Sequence, residues 1–220
     1  MDRRAVVLLS GGIDSSTLLF LAKKRLADEV LGLSIDYGQR HKRELEAAEQ
    51  VAKAAGVSWH ALRLASKDLC TAFGNPALLD GAQPIPHGNY ADVSMRSTVV
   101  PNRNMFLLSL AGAFAISLGA GFVCYAAHGG DHPIYADCRP GFIRGMEAAF
   151  KELDVTLWTP FMTMDKRQIV KLGKELAVPY DLTWSCYKGY AVHCGKCGTC
   201  VERKEAFELA GLGDPTIYEA

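Results

Sequence analysis

Two short stretches of the chain carry residue types that do chemistry at close spacing. The first is Ser10-Gly-Gly-Ile-Asp-Ser15. Paired glycines let a backbone bend close to an anion. N–H groups at the start of a following helix point at such an anion, and the helix dipole favours its charge. The backbone of Leu9, Gly11, Gly12 and Ile13 and the hydroxyls of Ser10, Ser15, Ser16 and Thr17 then predict a phosphate cradle. Leu18 and Leu19 complete the stretch. No Gly-Lys-Ser/Thr is present, so this is not a Walker loop with its phosphate lysine. A bare Gly-Gly would mark only a tight strand–helix turn. The serine before it and Asp-Ser after it favour phosphate.

The second stretch is Cys186-x₇-Cys194-x₂-Cys197-x₂-Cys200. Zinc in closed structural sites takes four tetrahedral sulfur ligands. Such an ion would fasten an otherwise weak C-terminal segment. The Cys-x₂-Cys-x₂-Cys pattern also occurs in iron–sulfur proteins, so zinc is the favoured ion and a cluster the rival. His193 adjoins the array but is left out, because four thiolates fill the site.

The elements that position these residues alternate. Ala5–Leu9 is a short apolar run that ends at glycines, a buried parallel strand. A helix follows through Arg25, then a strand over Val30–Ile35, a charged Ala-rich helix over His41–Ala55 and a strand over Ser58–Leu64. The Gly- and Pro-rich stretch Ala65–Ser97 is long enough to be a lid or binding loop. Arg103–Leu118 is apolar almost all round and predicts a buried helix. Gly121–Ala127 is a fourth strand, and Pro140 opens another helix. Asp165-Lys-Arg-Gln168 is a capping box for a helix through Leu176 that Pro179 ends. The pattern predicts an α/β fold, an open, mostly parallel sheet with helices on both faces. Residues 1–184 would form that domain, and 185–220 a cysteine-rich segment packed on it. Ligands of such sheets sit beyond the strands' carboxyl ends, so Ser10, Asp36 and His128 should share one crevice.

Composition sets limits. Lys+Arg and Asp+Glu number 24 each in 220 residues, with no basic excess for a long nucleic acid. No obligatory nucleic acid partner is expected. No signal peptide or membrane span is evident, so a cytoplasmic protein is expected. An odd number of cysteines, seven, with one tight cluster suits a reducing compartment rather than a disulfide framework.

Ser10–Ser15 resembles the signature of the ATP-pyrophosphatase (PP-loop) family. The resemblance implies that the loop holds the pyrophosphate end of ATP. An oxygen nucleophile then attacks the α-phosphate, with Mg²⁺ balancing charge and Asp14 organising metal or phosphates. Asp36-Tyr-Gly-Gln39, Val100-Pro-Asn-Arg-Asn104, Tyr135-Ala-Asp-Cys-Arg-Pro140 and the cysteine array look like the 7-cyano-7-deazaguanine synthases of queuosine biosynthesis, over about Arg4–Ala210. That resemblance implies a homodimer that turns a 7-carboxy-7-deazaguanine, ATP and ammonia into the nitrile. Ser10, Asp14 and Arg103 would be catalytic. Arg103, Asp131, Asp137 and Arg139 would contact the deazapurine acid. Each has a plainer alternative as a helix-start or loop residue. Lys166 is expected to be a solvated helix-start lysine, Cys138 a packing thiol, and His41 and His128 ordinary hydrogen-bonded histidines. The chain has no room for a glutaminase domain, and Asp2 follows Met1, so the expected amine is free ammonia or comes from a separate partner.

Ala136 and Gly141 stand where this family usually has proline and glutamate. That leaves open a ligase that stops at the amide or takes another amine. A sulfur-inserting tRNA enzyme and a nucleotide-sensing module are the remaining alternatives.

Overall fold

β1 (Arg4–Leu8) is the central strand, and its alternation decides the architecture. Ala5, Val7 and Leu9 face one apolar core, and Val6 and Leu8 face another. Side chains alternate across a strand, so an apolar residue at every position demands helices on both faces. The structure is a computed structural model that describes residues 3–39, 42–64, 67–74, 78–79, 99–131, 135–188 and 190–219.

The other strands are β2 (Glu29–Asp36), β3 (Ser58–Arg63), β4 (Phe122–Cys124) and β5 (Thr156–Trp158). They line up as β3-β2-β1-β4-β5, every described pair parallel. Val6 lies opposite Leu31 on one side and Val123 on the other. The chain runs outward through β2 and β3, then returns to β4 on the far side of β1. The switch point therefore lies between β1 and β4, where such sheets bind ligands.

One face is covered by α1 (Ile13–Arg25), α2 (Arg43–Ala55), α6 (Lys166–Glu175) and α7 (Gly198–Ala210). Leu18, Leu19, Ala48, Val51, Ile169, Val170, Ala206 and Phe207 form its core. The opposite face is covered by α4 (Arg103–Ser117) and α5 (Pro140–Lys151), through Leu108, Ala111, Met146 and Phe150. The expected capping box is present. Asp165 accepts from the Gln168 N–H at 2.8 Å, and Gln168 accepts from the Asp165 N–H at 2.9 Å.

Three expectations need correction. α4 is not buried all round, since Ile116 is 47% exposed and Met105 40%. It lies on only one side of the sheet, so its outer side faces away from the core. β5 went unread because Thr156-Leu-Trp158 is too short to show a period. The Ala65–Ser97 stretch contains a helix, α3 (Lys67–Ala72), and the buried pair Leu78 and Leu79. Gln39 and Leu79 form an isolated antiparallel bridge. The rest of that stretch, on which the lid reading falls, lies outside the described residues. Among the described residues no helix is long and apolar enough to cross a membrane.

Among the described glycines, Gly11 has the closest approach to the backbone of another segment. Its φ is +80°, and an added Cβ would lie 2.5 Å from the Glu44 carbonyl oxygen and 2.6 Å from the Ala48 nitrogen. α2 therefore rests on the loop backbone itself. Gly11→Ala combines left-handed strain with a backbone clash, and should destabilise the fold by roughly 2–4 kcal/mol. Chemical denaturation checks this. A loss no larger than that of a typical surface substitution would show that α2 can move aside.

Candidate active site and metal centre

The loop after β1 is closed by its own serines. Ser10 N–H donates to Ser15 Oγ at 3.1 Å, the two hydroxyls lie 3.0 Å apart, and Gly12 N–H reaches Ser10 Oγ at 3.4 Å. Gly12 is the extended N-cap of α1 and bears no side chain, so the first turn's N–H groups stay open to an anion. Ser10, Gly12, Ile13, Asp14 and Ser15 line a cavity of about 250 Å³ at the switch point. Among the described residues two buried side-chain atoms lack a hydrogen-bond partner, Asp14 Oδ1 and Ser16 Oγ. Both lie at the start of α1, but only Asp14 lines the cavity, and Ser16 is buried away from it. Buried polar atoms are normally paired, so the unpaired Asp14 oxygen points to a missing polar ligand.

The rest of the expected phosphate stretch turns inward. Thr17 Oγ1 donates to the Ile13 carbonyl at 2.8 Å and lies 2.9 Å from the Tyr180 hydroxyl. Leu18 and Leu19 are fully buried in the core. Helical periodicity carries these three positions away from the cavity. Leu9 lines it and also packs in the core.

Beside Asp14 stands a cation that the sequence made look ordinary. Lys166 Nζ lies 3.4 Å from Asp14 Oδ2 and contacts Glu202 Oε2 at 2.5 Å. Its side chain is only 16% exposed and lines the cavity, contrary to the expected solvated lysine. Position at a helix start says nothing about the neighbouring helix that covers it, here α7. Burial raises the Glu202 carboxyl pKa, and the Lys166 charge opposes that rise. His128 is buried, its Nδ1 accepts from Gly130 N–H at 3.1 Å, and its Nε2 lies 3.7 Å from Asp14.

The same cavity is lined by Arg103, the first residue of α4. Tyr37, Tyr125, Tyr135 and Tyr187 surround its guanidinium, which also donates to Asn104 Oδ1. Burial opposes the arginine's charge, yet these neighbours leave its pKa above the ordinary value. Burial likewise raises Tyr37 and Tyr187, so both phenols stay neutral at physiological pH. The Asp36–Gln39 segment folds on itself to present Tyr37. Asp36 accepts from Gly38 N–H at 3.1 Å and Gln39 accepts from Tyr37 N–H at 2.9 Å. Asp36 therefore serves its own turn and does not line the cavity with Ser10.

Of the remaining expected substrate contacts, Asp137 and Arg139 do not line the cavity. Asp137 accepts from the Asn104 N–H at 2.9 Å and so caps α4. Arg139 is exposed at the N-cap of α5 and does not line the cavity. Asp131 ends the short 3-10 turn Gly129–Asp131, and its side chain lies outside the described residues, as does His41. Cys138 is a buried cavity-lining thiol that accepts from Asn104 Nδ2 at 3.2 Å. Ala136 and Gly141, the two departures, are exposed and line no part of the cavity.

The four cysteines meet beside this cavity. Their ligand atoms all lie within 4.8 Å of one another, and all four residues are buried. A tetrahedral ion with sulfur bonds of about 2.3 Å would hold sulfurs about 3.8 Å apart, so the donor set fits one. Backbone N–H groups of Cys194, Lys196 and Cys197 already point at the sulfurs of Cys186 and Cys194. Hydrogen bonds from the Cys186 and Cys200 thiols hold Cys197 low, and sharing these protons pushes Cys186 up to about 11. A cation would take the place of the shared protons. His193 stays out of the set, as expected. Its Nε2 accepts from Ser185 N–H at 3.1 Å, and it packs on Trp184.

The ligand segment also builds the site. Trp184 N–H donates to the Gly11 carbonyl at 2.9 Å, and Trp184, Tyr187 and Thr199 line the cavity. Sequence reading missed these residues, because cysteine spacing marks the ligands and not the residues carried between them.

A serine–glycine loop at the switch point of a parallel sheet, with an unpaired aspartate oxygen and a lysine beside it, fits a nucleotide-binding enzyme of the PP-loop class. The family model described as "Queuosine biosynthesis protein QueC" matches residues 4–211. A 7-cyano-7-deazaguanine synthase of Marinobacter nauticus is 46% identical over 222 residues, covering 100% of this chain and 99% of that protein. One of Caldicellulosiruptor bescii is 46% identical over 219 residues, covering 98% and 97%. Among solved structures, NMN synthetase from Francisella tularensis superposes with a TM-score of 0.55 at 16% identity, over 96% of this chain and 78% of that one. That likeness concerns the fold alone. The chain belongs to the QueC family of queuosine biosynthesis proteins.

The cysteine cluster generates a test. Purified protein should hold one metal ion per chain by elemental analysis. Cys197→Ser should lose the ion and melt several degrees lower, because a structural metal's binding energy is folding energy. Full thermal stability in the metal-free variant would mean that the segment holds without an ion.

Proposed function

We propose that the chain converts 7-carboxy-7-deazaguanine and ammonia to 7-cyano-7-deazaguanine by activating the same oxygen position twice with ATP. One observation carries the reading. A single cavity joins the PP-loop to Arg103 and its tyrosines, so an anion-binding loop and a second cation for an acid face one space. Curated relatives of the same length bear the name of this activity.

The roles follow from the donors. Ser10, Gly12 and Ser15 hold the pyrophosphate end of ATP, with the dipole of α1 behind them. Lys166 supplies the cation that a Walker lysine supplies elsewhere. Asp14 Oδ1 offers a ligand to Mg²⁺, which neutralises charge on the phosphates when bound. Arg103 holds the acid's carboxylate against the loop, and the neutral tyrosines flank the deazapurine.

The steps balance without a covalent nucleophile. A carboxylate oxygen attacks the α-phosphorus, and pyrophosphate leaves. Ammonia adds to the acyl carbon, AMP leaves with that oxygen, and loss of a proton gives the amide. The amide oxygen attacks a second α-phosphorus in the same place, and pyrophosphate leaves again. Departure of the second AMP, with the remaining N–H protons, leaves the nitrile. Both activations need an oxygen held beside one α-phosphate, which is placement and electrostatics. Cys138 has no task in them.

Zinc in the Cys186, Cys194, Cys197 and Cys200 site completes the reading. Residues 185–220 then form a zinc-fastened segment on the main domain. A cytoplasmic homodimer is part of the same proposal, supported by the exposed Met105, Ile116 and Leu118.

Incubation with the acid, Mg·ATP and ammonia should give two AMP and two pyrophosphate per nitrile by mass spectrometry. Asp14→Asn should lower kcat/KM by about 10²-fold or more while the melting temperature holds. Well-folded protein that yields neither amide nor nitrile would end the proposal. Accumulation of amide alone would reduce it to a single activation.

A further inference from the structure

Lys166 has a long, flexible stem, and a lysine of this kind serves as a phosphate cation only where something holds it in place. Asp14 is a poor holder on its own. The proposed function asks Asp14 to turn toward Mg²⁺ when nucleotide arrives, which weakens its hold on Lys166. Glu202 makes the shorter contact with Lys166, 2.5 Å against 3.4 Å, and is itself only 15% exposed.

Glu202 is also rigidly placed. It lies on α7 between Cys200, in the cysteine cluster, and Arg203. The Arg203 guanidinium is tied to the Tyr180 carbonyl at 2.9 Å, Thr183 Oγ1 at 2.7 Å and Asp214 Oδ1 at 3.1 Å. The carboxylate therefore stands on a helix pinned on both sides of it.

We infer that Glu202 is a positioning residue for catalysis, holding Lys166 over the PP-loop as the cation for the ATP phosphates. The inference rests on the proposed nucleotide site. It gives the cysteine-bearing segment a part in phosphate binding beyond stability. The plain alternative is that the Glu202–Lys166 pair merely staples α7 to α6.

Binding of Mg·ATP and of adenosine, measured by calorimetry without acid or ammonia, separates the two. The variants are Glu202→Gln, Glu202→Asp, Lys166→Ala and the double Lys166→Ala/Glu202→Gln. Glu202→Gln should weaken Mg·ATP about tenfold, with Glu202→Asp in between, and leave adenosine unchanged. The double variant should be no worse than Lys166→Ala alone, since Glu202 acts only through Lys166. Equal losses for adenosine and Mg·ATP would show a structural staple or a damaged fold, and overturn the inference. So would independent, additive losses in the double variant. Acid identity does not enter these measurements. Failure to form nitrile with this pattern intact would count against the proposed function alone.

Discussion

The site depends on how closely three separate chain segments approach the backbone of Gly11 and its neighbours. α2 lies against Gly11 with no room for a side chain. Trp184 N–H takes the Gly11 carbonyl from the other side, and the loop serines close the turn from within. With its backbone held in this way, the loop can leave the first N–H groups of α1 unsatisfied and facing the cavity. Such groups bind an anion well because they need no rearrangement when it arrives. The left-handed φ at Gly11 is a small local cost for that preorganisation.

The second support is a buried cation that serves architecture. Arg203 is fully buried, and a buried guanidinium is tolerable only where its donors are met. Tyr180, Thr183, Ser185 and Asp214 meet them. Burial alone would raise the Asp214 carboxyl. Arg203, the Tyr218 hydroxyl and Thr216 outweigh that and hold it below its usual range. The sign matters. A depressed carboxylate stabilises the fold at pH values above its unfolded pKa, and that contribution fades as pH falls through the folded value. The same arginine fixes the segment that runs from Tyr180 to Ser185, and Trp184 in that segment reaches Gly11. The cysteine cluster, Arg203 and the PP-loop are in this sense one connected scaffold.

How much of this was legible in the sequence follows from the range of each interaction. The loop, the capping box and the cysteine ligands are local patterns, readable because their chemistry is completed within a few residues. The parallel sheet was readable because apolar strand and polar loop alternate with helical periods. What failed to read was long-range. Lys166 looks like any helix-start lysine until Glu202, 36 residues later, covers it. Asp137 resembles a ligand-binding aspartate until the start of α4 takes its oxygen. Thr17, Leu18 and Leu19 follow the loop in sequence, but a helix turns about 100° per residue and carries them to the core. The departures at Ala136 and Gly141 drew suspicion by position in a motif, yet both sit outside the cavity wall.

The net charge of zero takes on a different meaning once the charges are placed. A chain with as many acids as bases has no overall field to draw in a nucleotide, so the attraction must be local. Three cations line one cavity, and Arg203 among them is committed to Tyr180, Thr183 and Asp214. Arg103 stands among phenols, and Lys166 stands between two carboxylates. The surroundings suit different partners. A guanidinium among hydroxyls presents a flat, undiminished charge, as a planar carboxylate requires. A lysine shared by two carboxylates has part of its charge offset, and more of that charge becomes available when Asp14 is engaged elsewhere while Glu202 still holds the ammonium in place. Mg²⁺ drawing on Asp14 would do that at the moment the phosphates arrive. In the proposed reaction pyrophosphate can then depart as Asp14 reclaims its share of the lysine. The proposed reaction takes up and releases ATP twice for each product, and such a shared cation serves it better than an isolated one.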